Sequence, residues 1–112
     1  MTKTKNIETS IDNLRNARRK LLSIDEETLH GLDSSSQEEW ANDLREVTIN
    51  INKLETAKLK SLNREFKDKE QELTEATEKL KNDLESLNNA DQIIGIVSGG
   101  LGLITNIVDL LK

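Results

Sequence analysis

Four of the chain's five glycines fall in one run, Gly95-Ile96-Val97-Ser98-Gly99-Gly100-Leu101-Gly102. Glycine-rich loops cradle phosphates when they follow a strand and open a helix. A Walker loop also needs Lys followed by Ser or Thr after its last glycine, whereas here Gly102 is followed by Leu103. No strand pattern precedes the run and no βαβ unit surrounds it, so the glycines read as helix-packing or bending residues. His30 is the only histidine, and Glu27-x-x-His30 has the local spacing of carboxylate-bridged metal bundles. Such sites need a second motif and further glutamates. A solvent-facing imidazole at a helix C-terminus accounts for His30 better. Asp68, Glu72, Glu75 and Glu78 form an acidic ridge that could attract divalent cations, but a solvated helix face explains it more simply.

With one histidine and no cysteine, neither a Ser-His-Asp nor a Cys-His set can be assembled, and there is no disulfide or thiolate chemistry. No apolar pocket is apparent that would raise a carboxyl pKa for general-acid work. The expectation is a protein that is not an enzyme and has no metal and no cofactor. Arg15, Arg18, Arg19 and Lys20 cluster on one stretch and could contact a phosphate or an anionic lipid headgroup. Salt bridges to the acidic segment that follows are the competing account.

These residues sit on helices. Proline is absent, and Leu, Ile, Lys, Glu and Asn dominate, which favours helix over sheet. Ile7, Ile11, Leu14, Leu21 and Leu22 make a one-sided stripe, predicting a first helix over about 4–28. Gly31 is placed to end it in a left-handed conformation, and Ser36 with Glu39 reads as a capping box for the next. From Ser36 to Asn89 there is no glycine. Trp40, Leu44, Val47, Ile51, Leu54, Phe66, Leu73, Leu80 and Leu87 recur at steps near a heptad, predicting one long coiled-coil-like helix over about 36–89. The phase slips near 55–59, and Ser61–Asn63 is the place where this helix could break. Glu65/Lys69 and Glu75/Lys79 are spaced as i,i+4 pairs.

After a joint at 88–91, capped by Asn89 or Asp91, the run IIGIVSGGLGLITNIVDLL predicts an apolar third helix over about 91–111. Asp91, Gly95, Ser98, Gly102, Thr105 and Asp109 fall on one stripe of small and polar residues, a groove where another backbone could approach. Ile94, Val97, Ile104 and Val108 are among the apolar residues covering the rest. Gly99-Gly100 could kink this helix or split it into a hairpin. The fold class is therefore all-α: a single-domain helical hairpin or bundle with one long central helix and an apolar, glycine-rich C-terminal helix.

Only 34% of residues are hydrophobic and 33% are charged, so a lone three-helix monomer would have thin cover and exposed apolar edges. The net charge of −5 is uneven. Residues 1–24 carry +4 and residues 25–50 carry −7. The first helix could thus fold back with Arg15, Arg18 and Arg19 near Asp43 and Glu46. The overall sign and the single Trp and Phe argue against nucleic acid. The N-terminal residues lack an apolar h-region, giving a cytoplasmic expectation, with membrane association or signal-independent export as alternatives.

The leading functional expectation is a non-enzymatic assembly or adaptor protein that pairs with itself or another helical protein. Interaction and packing residues are the seam positions together with Ile94, Gly95, Val97, Ser98, Gly99, Gly102, Ile104 and Val108. The alternative is a membrane-active or membrane-anchored protein whose C-terminal segment enters lipid. A charged helical body with an apolar, glycine-rich hairpin resembles the general plan of α-helical pore-forming toxins. That resemblance covers residues 93–111 alone, with no specific family motif.

Overall fold

A computed structural model describes residues 5–60 and 62–111. Among them are five helices and no strand: α1 (Lys5–Leu22), α2 (Glu26–His30), α3 (Ser34–Ala57), α4 (Arg64–Glu85) and α5 (Ala90–Val108). Thr4, the expected start of the first helix, and Ser61, in the expected break, lie outside the described residues. The protein is all-α, and its C-terminal helix is the apolar one.

The first helix stops at Leu22 rather than near residue 28. The Ser23 hydroxyl donates to the Lys20 carbonyl at 2.6 Å, so a side chain satisfies a group the helix would leave open. Asp25 then caps the short α2, accepting from the Thr28 N–H at 2.7 Å. Gly31 is not left-handed: its φ is −77°. Nor is Ser36 the cap of α3. The Asp33 carboxylate accepts from the Ser36 N–H at 2.8 Å, a charge-assisted bond at the positive end of the helix. Glu39 is thereby free to point elsewhere.

The single long helix expected over 36–89 is two helices. The first ends at Ala57 and the second begins at Arg64, where Asn63 caps it by accepting from the Phe66 N–H at 2.8 Å. The Asn63 amide also donates to the Leu110 carbonyl at 2.8 Å, tying the turn to the far end of α5. Leu59 continues the apolar pattern in sequence yet is 85% exposed, because it lies in this turn. Seam residues therefore pack in a folded-back bundle rather than along one rod.

The break creates a fourth long helix, and this changes the architecture. α1 packs against α3 and α4, and α5 packs against the same two from the opposite side. The result is a four-helix bundle of 46 × 25 × 19 Å with α2 as a connector. The core holds Ile7, Ile11, Leu14, Ala17 and Leu21 of α1, Val47, Ile51 and Leu54 of α3, Phe66, Leu73, Leu80 and Leu84 of α4, and seven larger apolar side chains of α5. Each of these side chains larger than alanine contributes about 1.5–3 kcal/mol when fully withdrawn from water. The fourth helix covers part of the apolar edge expected of three helices, but Leu22, Ile49, Ile96 and Leu103 remain exposed. α5 runs unbroken through Gly99 and Gly100, with Asn89 as its cap. On the surface, Lys69 pairs with Glu72 and Lys79 with Asp83, not with Glu65 and Glu75.

Polar side chains register the two parallel pairs. Between α1 and α4, the Ser10 and Thr74 hydroxyls lie 3.4 Å apart and the Asn13 amide donates to Thr77 Oγ1 at 3.2 Å. Both contacts join residues 64 positions apart, as parallel helices in one register require. Between α3 and α5, the Asn50 amide donates to Thr105 Oγ1 at 3.0 Å and Lys53 meets Asp109 at 3.1 Å. Sliding either pair by one turn would strand the buried Ser10, Asn13, Asn50 and Thr77 groups, at about 1–3 kcal/mol each, while the exposed Lys53–Asp109 pair adds little.

Asn63→Ala removes both the α4 cap and the tie to Leu110. It should lower unfolding free energy by about 1–2 kcal/mol in urea denaturation followed by circular dichroism. Asn63→Asp keeps the cap acceptor and should recover roughly half of that loss.

Candidate interaction face

α5 presents three different sides. Ile93, Ile94, Val97, Leu101, Ile104, Ile107 and Val108 are buried. Ser98, Thr105 and Asp109 face α3. Gly95, Ile96, Gly99, Gly102, Leu103 and Asn106 face outward and are exposed. The helical period of 3.6 residues puts these six on one continuous strip.

The expected single stripe of small and polar residues is therefore divided. Its hydroxyls and Asp109 are used against α3, while its glycines look out. A methyl group placed on Gly95, Gly99 or Gly102 would meet nothing within 4 Å. Only Gly100 has an internal packing reason, since its added methyl would lie 3.1 Å from Leu80 Cδ1. Among the described residues no backbone fills the glycine groove. Ile96 and Leu103, 36% and 46% exposed, flank it. With Ala76, Leu80 and the Lys79–Asp83 pair of α4 they border an open groove of about 310 Å³.

The seam residues have interior positions. Val47, Ile51, Leu54, Phe66, Leu73, Leu80, Ile94, Val97, Ile104 and Val108 are buried, and Trp40, Leu44 and Leu87 are half-buried against the same core. Trp40 is anchored by its indole N–H, which donates to the Leu21 carbonyl at 2.9 Å. The buried ones are not free for a partner while the bundle is closed, and Trp40, Leu44 and Leu87 keep only part of their surface exposed. Ile96 and Leu103 were missed in the sequence, although their seven-residue spacing beside the glycines carries the signal.

The charged residues also regroup. Arg15 pairs with Glu55, and Lys58 shares that carboxylate. Hydrogen bonding from Lys58, with the Arg15 charge adding to it, holds Glu55 below the usual glutamate range. Arg18, Arg19 and Lys20 do not reach Asp43 and Glu46. Arg19 and Lys20 instead border a groove with Lys81 and Glu85 at the C-terminal ends of α1 and α4, where cations complement the helix dipoles. Asp43 and Glu46 turn toward α5: Ser98 Oγ lies 2.7 Å from Asp43 Oδ2 and Thr105 donates to Glu46 Oε2 at 3.2 Å. Burial pushes the Asp43 carboxyl up to about 6, Ser98 opposes the rise, and the charges of Glu39 and Glu46 add to it.

His30 is exposed at the end of α2, and the ridge from Asp68 to Glu78 is a solvated face. Among the described residues no group of three His, Cys, Asp or Glu side chains is placed to hold a metal. By length and composition one helix, Ala90–Val108, could cross a membrane. Comparison with known protein families, curated proteins and solved structures found no match.

Because three glycines have free space and ordinary helical surroundings, Gly95→Ala, Gly99→Ala and Gly102→Ala should each stabilise the dilute protein by about 0.5–1 kcal/mol. Gly100→Ala should gain less or lose stability, since Leu80 must give way. Urea unfolding of the four variants at low protein concentration checks the difference.

Proposed function

We propose that the protein is a non-enzymatic helical interaction module that binds a second copy of itself through the outward face of α5. The observation that carries this reading is the bare glycine strip with its two exposed apolar neighbours. Three helix-weakening residues without an internal packing role are best accounted for by a backbone arriving from outside.

The face matches itself. Ile96 and Leu103 are side chains that project, and Gly95, Gly99 and Gly102 are gaps between and beside them. Two such helices related by a twofold axis near Gly99 place each projecting side chain over the other's gaps. The strip carries no formal charge, and the adjoining Lys79–Asp83 pair is internally neutral. The overall charge of −5 therefore does not concentrate where the copies would meet. The long-helix seam has no part in this contact, because its apolar residues are inside the bundle.

A second reading, a membrane-associated protein, draws support from α5 itself: 19 residues with a mean hydropathy of 1.4 and an outward face whose charge is confined to Asp91 in the first turn. In that case lipid would take the place of the second copy, with Arg18, Arg19, Lys20 and Lys81 available to anionic headgroups.

Sedimentation equilibrium tests the first reading. The protein should dimerise reversibly, Gly99→Leu should weaken the dimer by about 1–3 kcal/mol, and Ile96→Lys with Leu103→Glu should leave a folded monomer. A wild-type chain that is monomeric at every concentration reached contradicts the reading. If that monomer also binds phosphatidylglycerol vesicles, the second reading takes its place.

A further inference from the structure

Ser98 Oγ sits between two carboxylates of α3, 2.6 Å from Glu39 Oε2 and 2.7 Å from Asp43 Oδ2. Both separations are those of strong O–H···O bonds to charged oxygen. A serine hydroxyl has one proton, so it can donate to only one of them. The other contact, between two oxygens without a hydrogen, would be repulsive. It becomes a hydrogen bond when a carboxyl supplies the missing proton. Asp43 is the group suited to this: its residue is 4% exposed, while Glu39 is exposed.

We propose that Asp43, Ser98 and Glu39 form a proton-operated clasp between α3 and α5, closed when one proton is bound and loosened when it leaves. In the closed state the Asp43 carboxyl donates to Ser98 Oγ, and Ser98 donates to Glu39 Oε2. In the open state Asp43 and Glu39 are both anions and compete for one hydroxyl proton. This goes beyond the docking face and does not depend on it.

The surroundings favour proton binding. Glu39 and Glu46, one turn to either side of Asp43, are the charges it feels. α5 contributes only the Ser98 hydroxyl there and carries no basic residue. α1, the other helix packed on α3, carries Arg15, Arg18, Arg19 and Lys20; Arg15 is engaged by Glu55, and among the described residues none of the four forms an ion pair with Glu39, Asp43 or Glu46. Burial and the two like charges both raise the carboxyl, to about 6.

The sign follows from linkage. A carboxyl raised in the folded state binds its proton more tightly than in the unfolded chain. The clasp is therefore strongest below the unfolded carboxyl range and weakens as pH rises through about 6. The exposed caps Asp25 and Asp33 act in the opposite sense. Backbone N–H groups of Thr28 and Ser36 hold them low, so their contribution disappears only at pH values below the ordinary carboxylate range. Glu70 of α4, also raised by burial, acts in the same sense as the clasp, so the clasp is read from α5 and from Asp43 itself.

Amide hydrogen exchange of the full-length protein, at low concentration and corrected for intrinsic rates, tests this. Protection of α5 should rise by about tenfold from pH 7.5 to pH 5. Asp43→Asn can donate an amide hydrogen to Ser98 Oγ without titrating. It should give the high protection at both pH values. The Asp43 side-chain carbon, followed by NMR in the wild-type protein, should titrate well above the exposed aspartates. Constant or falling α5 protection on acidification, an Asp43 midpoint near 4, or a looser α5 in Asp43→Asn would each overturn the proposal.

Discussion

A helix that is apolar over most of its circumference has to be covered on most of its sides in water, and α5 is such a helix in a chain otherwise crowded with charge. Its coverage requires α3 on one side and α4 on the other. That in turn requires the polar stretch between Gly31 and Asn89 to fold back at residues 58–63. The Asn63 side chain links these demands, because it starts α4 with its oxygen and holds Leu110 with its amide. α1 then closes the side that α5 leaves open.

Apolar burial alone would let α5 roll or slide, since hydrophobic contacts have little directionality. The hydrogen bonds from Ser98 and Thr105 to α3, with the Lys53–Asp109 pair, give it an orientation. Once the hydroxyls face α3, the helical period carries Gly95, Gly99 and Gly102 to the outside. The proposed contact face is thus a consequence of polar contacts on a different side of the same helix. The bundle as a whole is registered this way, with apolar side chains supplying cohesion and Asn13, Asn50, Thr77 and Thr105 supplying position.

Much of the fold was legible because helical periodicity survives any tertiary arrangement. The stripe from Ile7 to Leu21, the buried seam residues within α3 and within α4, and the joint at Asn89 fall where the pattern puts them, whereas Leu22 and Leu59, which continue the same patterns, are exposed. The break in the long stretch was harder to read. The phase slip near 55–59 marks Ser61–Asn63 as the place to break, but the apolar spacing resumes beyond it, as it also would in one slipped helix, and an asparagine occurs both inside helices and at their caps. Whether Asn63 caps depends on Leu110, 47 residues away, which periodicity does not register. Reading one continuous helix there also misplaces the charges: with one long helix, Asp43 and Glu46 belong beside the arginines of α1, whereas in the bundle they belong to α5. The glycines were noticed for their number, but their direction depended on which hydroxyls α3 would capture.

The direction of those glycines is the central structural claim, and thiol labelling measures it in a protein that has no native cysteine. Gly99→Cys should react with a maleimide at a rate close to that of a free thiol when the protein is dilute, and more slowly as concentration rises. Leu101→Cys should be protected under all native conditions. A thiol at position 99 that is protected in the dilute monomer would contradict the outward placement of the strip. One that stays reactive at high concentration would contradict its use as a contact.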